Sequence, residues 1–346
     1  MMFVEIEATN QCNTHCIHCP REAITRPIGM MSWEAFEIIA DKILTQPVIS
    51  SIDFAGMGEP LLNPLLSRFI AQVSSYAPTY ITTNASVLSP VKITQLLESG
   101  LQNVIVSLSG HNDALFRSMS GGLALQKVEA QVRQLVASAT EQMAVLANVS
   151  LTLQTTPYVM EIKNYLNSLG IESIFFSKCH NRGGYLNDSQ ICDTPVPPKG
   201  AGRCDIFANT LFVAWTGEVL ACCHDLEGKG QIGNLVTEDI DVILERKRNI
   251  IQNGVKFPMC ENCNDIYRFS QDATPDNSPL AEWIYSLYAN EDARAVKLIE
   301  TIRQRDARIY DLEQREKALK EEVAGFKNGR LMRLLLGLQN WLRKPG

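Results

Sequence analysis

Cys12, Cys16 and Cys19 form a C-x3-C-x2-C loop at the start of this chain, directly behind a strand-like run, Phe3–Ala8. No other cysteine follows until Cys179, and the rest of the ten lie between residues 179 and 263. The N-terminal residues Met1-Met2-Phe3-Val4-Glu5-Ile6-Glu7 lack the basic start and long apolar run of a signal peptide. No run of about 18 apolar residues reads as a membrane span, so a cytoplasmic location is expected. Clustered thiols in such a chain point to metal ligands before disulfides. Three thiolates on one cubane [4Fe–4S] cluster leave an iron without a protein ligand, and an open position is what a metal centre needs to bind a cofactor or substrate. His15 and His18 inside the loop keep zinc open on spacing alone.

Behind the loop, strand-like and helix-like runs alternate to about residue 180, the pattern of a parallel sheet wrapped by helices. The strands are expected at Phe3–Ala8, Ile49–Phe54, Thr79–Thr83, Asn103–Ser109, Ala144–Gln154 and Ser173–Ser177. Ser32 is expected to cap a helix over Trp33–Leu44, and Ser89-Pro90 reads as N-cap and first helical residue. Gly100 and Gly170 stand where helices should stop. Six β/α units in a row predict an α/β fold, a partial (β/α)6 TIM-like barrel, with its site at the C-terminal ends of the strands.

A second thiol set, Cys204, Cys222, Cys260 and Cys263, has the spacing C-x17-C-x37-C-x2-C. Thr210–Ala214 and Glu218–Ala221 around Thr216-Gly217 read as a β-hairpin. Four cysteines in one small module can close the coordination of a [4Fe–4S] cluster or of zinc, and spacing alone fits both. Cys223 is a neighbour that could replace Cys222, while Cys179 and Cys192 read as structural thiols. Loop-forming residues over 181–202 and 272–279 divide the chain into 1–180, 181–275 and 276–346. In the last part, Leu298, Ile302, Ile309, Leu312, Leu319, Val323 and Phe326 fit heptad positions of a helical coiled-coil tail. Its end mixes Leu331, Met332 and Trp341 with Arg330, Arg333 and Lys344, which fits a membrane interface or a partner helix. A homodimer through the coiled coil and a peripheral contact at the inner membrane surface are the uses such a tail allows.

The first loop and its position resemble the radical S-adenosylmethionine (SAM) superfamily, whose signature stands here as Cys12-Asn13-Thr14-His15-Cys16-Ile17-His18-Cys19. The resemblance implies that SAM chelates the open iron, and that an electron from a donor such as flavodoxin or ferredoxin cleaves it to a 5′-deoxyadenosyl radical that abstracts hydrogen. His18 occupies the place of the family's usual aromatic residue near the adenine. Gly56-Met57-Gly58-Glu59-Pro60 resembles the family's G-G-E-P segment, whose carbonyls accept from the SAM ammonium group. Asn84 and Ser107, at the ends of the third and fourth strands, are implied further contacts. Ser109 is another, although turn capping explains such residues equally well. The second set, with Gly217 five positions before Cys222, resembles SPASM/twitch modules that carry an auxiliary [4Fe–4S] cluster. Its spacing resembles the aminocyclitol dehydrogenase subgroup, which implies ligation by Cys204, Cys222, Cys260 and Cys263.

An auxiliary cluster without an open site suits electron acceptance, so oxidation of an alcohol on a sugar, aminocyclitol or lipid-linked glycan is the expected reaction. Arg182 is a candidate for holding a polar substrate and His180 a candidate proton acceptor. Either can also be an ordinary loop residue satisfied by its neighbours. A ribosomal-peptide maturase is the alternative, disfavoured because the first strand begins at Phe3 and leaves no preceding leader-binding domain. RNA methylases share Gly-Met-Gly-Glu-Pro-Leu, but the formal charge of −6 and the second thiol set argue against a nucleic-acid partner. A zinc scaffold leaves the Gly56–Pro60 segment unexplained.

Overall fold

The computed structural model describes residues 2–186, 191–192 and 204–265, all within one compact unit. The expected coiled coil and amphipathic end lie outside the described residues. Six strands run parallel: β1 (Met2–Ile6), β2 (Ile49–Phe54), β3 (Thr79–Thr83), β4 (Asn103–Ser107), β5 (Ala144–Leu151) and β6 (Ser173–Lys178). They are joined through α1 (Trp33–Ile43), α2 (Leu66–Val73), α3 (Pro90–Glu98), the pair α4 (Asp113–Ser120) and α5 (Leu125–Ser138), and α6 (Val159–Ser168). This is the partial (β/α)6 barrel that the alternation predicts.

Local chemistry sets the helix ends. The Ser32 hydroxyl accepts from Ala35 N and Ser89 from Lys92 N, each satisfying an orphan amide of the first turn. Gly100 and Gly170 follow α3 and α6 with φ of 75° and 87°, the left-handed conformation that glycine adopts freely. Strand parity then separates core from lumen. Val4, Ile6, Ile52, Phe54, Ile81, Val104, Val106, Ala147 and Val149 are all buried beneath the helices. Phe36 of α1 stacks on Phe69 of α2 at 4.2 Å between ring centroids. Each such side chain contributes about 1.5–3 kcal/mol by leaving water. The alternate positions, among them Glu5, Asp53, Ser107, Asn148 and Ser177, are half-buried. Register pairs Glu5 with Asp53 and Ser107 with Asn148, and Ser177 Oγ donates to Asn148 Oδ1 at 2.7 Å.

The second module continues the same sheet. Cys204 precedes α7 (Asp205–Asn209), and β7 (Thr210–Val213) pairs parallel with β1. It then forms the expected hairpin with β8 (Glu218–Leu220), which pairs with β9 (Gly233–Asn234). Among the described residues the order is β6-β5-β4-β3-β2-β1-β7-β8-β9. The helix α8 (Ile240–Asn253) follows, and Lys42 Nζ of α1 donates to the carbonyls of Leu235 and Glu238 at 2.6 and 2.8 Å. The thiol loops of module and barrel are therefore fixed to one rigid sheet. Among the described residues no helix is long and apolar enough to cross a membrane.

Candidate active site

The first thiol loop is pinned at both ends. Asn10 closes it by donating to Pro27 O and accepting from Gly29 N, at 2.8 and 2.9 Å. Asn13 reaches the end of β3 by donating to Ser86 Oγ at 2.7 Å and accepting from Asn84 Nδ2 at 3.1 Å. Ile17 N donates to Met119 O at the end of α4. Held so, Cys12, Cys16 and Cys19 line a cavity of about 350 Å³ together with Thr14, Tyr185 and Leu186. Thr14 Oγ1 lies 3.2 Å from Cys12 Sγ and 3.6 Å from Cys16 Sγ. Burial pushes the Cys16 thiol up to about 11, with Cys19 and Cys12 adding to the rise. Three thiols converging on one cavity, with the charges of Arg182 and Arg21 acting on Cys19, fit a thiolate-binding metal cluster.

The two histidines part company. His15 is turned outward and pairs with Glu22 at 3.2 Å, which removes it from the thiol set and weakens the zinc reading. Burial, then the charge of Arg182, holds His18 down to about 4, so its ring is neutral. Its Nδ1 has no hydrogen-bond partner among the described residues. His18 stands between the lining residues Ile17 and Cys19 without itself lining the cavity.

The Gly56–Pro60 segment lies against this loop. A Cβ on Gly58 would stand 2.1 Å from Thr9 O, so only glycine permits the approach. Gly56 has φ of 140°, and the Met57 amide donates to Glu7 Oε1 at 3.3 Å. Glu7 also takes both prongs of the buried Arg26 at 2.9 and 3.1 Å, a bidentate pair that fixes the loop from beneath. Glu59, expected beside the cofactor, is buried and uses its carboxylate inside the protein. It accepts from Leu61 N, Thr83 Oγ1 and Asn84 N, at 3.1, 2.7 and 2.7 Å. Its role in this geometry is to place Asn84, whose Nδ2 reaches Asn13 and lies 3.9 Å from Cys12 Sγ. Ser107 is at the lumen end of β4, whereas Ser109 Oγ accepts from Ser150 N at 2.9 Å and clasps two strand ends.

Beyond the end of β6, Arg182 adopts a left-handed turn with φ of 50°, continued by Gly183 and Gly184. Asn181 and Asn264 bind each other's backbone amides at 2.7 and 3.2 Å, joining this turn to the C-x2-C loop. Arg182 Nη1 donates to His224 Nε2 at 3.2 Å, and Arg182 N donates to His180 Nδ1 at 3.2 Å. Both acceptor nitrogens must carry lone pairs, so the protons sit on His180 Nε2 and His224 Nδ1. Those atoms face Asp265 Oδ2 at 3.4 and 3.8 Å. In this arrangement two histidines and a carboxylate converge around the Arg182 turn, linked to it by the Arg182–His224 and Arg182–His180 hydrogen bonds.

Burial and the Arg182 charge push both imidazoles down, His224 to about 3. His180, expected as a proton acceptor, has both ring nitrogens engaged and is held neutral; its geometry is that of a positioning residue. Across the lumen, burial and then Asp53 and Glu7 lift Glu5 to about 8, against the opposing charge of Arg182. Burial lifts Asp53 to about 7, and its Oδ1 has no partner among the described residues.

The second set differs. Cys204 and Cys263 are buried, and burial pushes Cys222 well above the usual thiol range, with Cys223, Cys204 and Cys263 adding. Cys260 lies in the turn Pro258–Glu261, three residues before Cys263. Cys223, the neighbour of Cys222, packs against Phe212, Ala214 and Leu220, and the charges acting on it, after burial, are those of Glu5, Arg182 and Asp265. Cys179 and Cys192 are bonded to each other and stand outside both sets. His224, Asp265, Glu5 and Asp53 were not among the expected site residues. Each had a signal: His224 and Asp265 lie two positions past Cys222 and Cys263, and Glu5 and Asp53 interrupt apolar strands.

Comparison with known proteins agrees with this geometry. Residues 6–148 match the radical SAM superfamily, and residues 204–264 match the SPASM iron–sulfur cluster-binding domain. The S-adenosyl-L-methionine-dependent 2-deoxy-scyllo-inosamine dehydrogenase of Niallia circulans is 25% identical over 281 residues, 76% of this chain and 93% of that protein. The fold is similar to that of BtrN in complex with AdoMet and 2-DOIA, with a TM-score of 0.53 at 20% identity over 77% of this chain and 94% of that one. It is also similar to anSMEcpe with bound AdoMet, with a TM-score of 0.61 at 15% identity over 87% of this chain and all of that one, 100%. The cofactors are SAM, one [4Fe–4S] cluster for the three-thiol loop and one for the four-thiol set. The chain is therefore a radical SAM enzyme carrying a C-terminal SPASM-type iron–sulfur module.

Proposed function

We propose that the enzyme oxidises an alcohol of a sugar, an aminocyclitol or a similar polyol, and that the auxiliary cluster receives the electron left after hydrogen abstraction. When bound, the first cluster and SAM supply a 5′-deoxyadenosyl radical able to remove hydrogen from carbon. The observation that carries the reading is the position of Arg182. Its guanidinium donates to His224, two residues past Cys222, while its charge acts on His18 and Cys19 of the first loop and on Glu5 in the lumen. One cationic fork thus borders both thiol sets and the lumen.

Loss of a hydrogen atom from a carbinol carbon leaves one electron and the hydroxyl proton to be removed before a carbonyl forms. A four-thiolate cluster with no open iron cannot bind substrate at iron and suits electron exchange. Arg182 offers a planar fork for hydroxyl oxygens, held from behind by His224. Glu5 and Asp53 add carboxyl groups that can bond hydroxyl or amino groups. The similarity to a dehydrogenase named for 2-deoxy-scyllo-inosamine supports a substrate of this class.

The test is anaerobic turnover with SAM, a reductant and 2-deoxy-scyllo-inosamine or related polyols deuterated at each carbinol carbon. Deuterium in 5′-deoxyadenosine together with one ketone per deoxyadenosine is expected. Deoxyadenosine formed without deuterium or ketone from any polyol, but with deuterium from a labelled peptide, would replace this reading with peptide modification.

A further inference from the structure

Lys247 is a buried cation beside the auxiliary thiols. It projects from α8, is 2% exposed, and donates from Nζ to Phe207 O and to Thr210 O, the latter at 2.9 Å. Nζ also lies 3.9 Å from the centroid of the Phe207 ring. Phe207 is three residues past Cys204, on the short helix that Cys204 precedes. Two carbonyl dipoles and an aromatic face all favour the ammonium form. The charges that act on it are those of Cys204 and Cys222. Burial drives its pKa down, to about 8, and these two thiols oppose the fall.

A buried ammonium is costly unless a negative charge compensates it. Two ligands of the auxiliary cluster are the groups positioned to do so. A four-thiolate [4Fe–4S] cluster is anionic and gains a further negative charge on reduction, and its potential responds to net charge and hydrogen bonding around the sulfurs. In a low-dielectric interior a fixed positive charge favours the reduced form more strongly than it would in water.

We propose that Lys247 raises the reduction potential of the auxiliary cluster and so makes it a competent electron acceptor. The acceptor role rests on the alcohol-oxidation reading; the effect on potential does not, because it concerns the cluster alone. The bland alternative is a long side chain that fills space over Phe207 and ties α8 to α7.

The test uses the full chain with Cys12, Cys16 and Cys19 replaced by Ala, so that only the auxiliary cluster is present, and needs no substrate. Its midpoint potential is measured by an EPR-monitored redox titration with Lys247, Lys247→Arg, Lys247→Gln and Lys247→Met. Gln keeps donors for both carbonyls and Met keeps the stem, whereas Arg keeps the charge. Gln and Met are expected to lower the equilibrium for accepting one electron roughly tenfold, a shift of about 59 mV to more negative potential, with Arg near the parent. Parent-like potentials in both neutral variants would overturn the proposal, as would a shift in Met but not in Gln. Loss of the cluster from both neutral variants would also overturn it, making Lys247 a residue of assembly.

Discussion

Cys12, Cys16 and Cys19 line a cavity and are all half-buried, whereas in the second set Cys204 and Cys263 are buried and Cys222 and Cys260 half-buried, and the contrast bears on what each set can do. The open loop is held by polar side chains at its rim, Asn10, Asn13 and Asn84, which leave the thiols exposed to an incoming cofactor. The enclosed set is held by β7, β8 and the Pro258–Glu261 turn, with Lys247 beside it. Under the proposed function, the first centre binds the cofactor and the second receives the electron. Arg182 and His224 join the two, one from the barrel and one from the module.

The sharpest way to break this contrast is to remove one thiol from each side of the paired cysteines. Cys222→Ala should lose the auxiliary cluster, about four irons, and with it substrate oxidation, while keeping substrate-independent SAM cleavage. Cys223→Ala should keep the full iron content. The reverse pattern, measured by iron assay and deoxyadenosine release, would exchange the two assignments.

Next in size is the link between the regions. Arg182→Met should reduce kcat/KM by about 10- to 100-fold, the scale of a charged hydrogen bond. His224→Leu should act in the same direction through KM, and His224→Gln, which keeps an acceptor and a donor, should recover most of the loss. Equal effects on substrate-free SAM cleavage would mean that the link serves folding alone.

Gly58→Ala tests the open side. Its Cβ would meet Thr9 O, backbone that cannot swing away. A loss of roughly 1–3 kcal/mol is expected from overpacking, read as a lower urea midpoint of the metal-free protein. An unchanged midpoint would show that the loop is less tightly held than the contacts require.

The pH dependence of the comparison concerns Glu5, whose pKa is raised from 4.5 to about 8. The folded state then holds a proton that the unfolded chain releases, so this group's contribution is complete below pH 4.5 and is lost as pH rises through 8. Urea midpoints of the metal-free protein should fall across that window, and Glu5→Gln should flatten the fall. A slope identical in the variant would assign the loss to other groups.

Much of this was legible in order along the chain. Ser32, Ser89, Gly100 and Gly170 mark helix ends by local chemistry, and the cysteine spacings carry metal-ligand geometry with them. The pairing of β7 with β1 was not, because a parallel contact across some 200 residues leaves no local trace. His224 and Asp265 escaped for the same reason: their meaning comes from Arg182 and His180, which only the fold brings near. Glu59 carries a task that its motif does not announce, since its carboxylate accepts from Thr83 and Asn84 and so places Asn84 by the first loop.

The most direct test of the open and enclosed centres is iron and sulfide content after anaerobic reconstitution, for the wild type and for the Cys12/Cys16/Cys19→Ala variant. About eight irons falling to about four, one cubane lost and one kept, is the predicted result. About four irons falling to none, or zinc in either site, would contradict it.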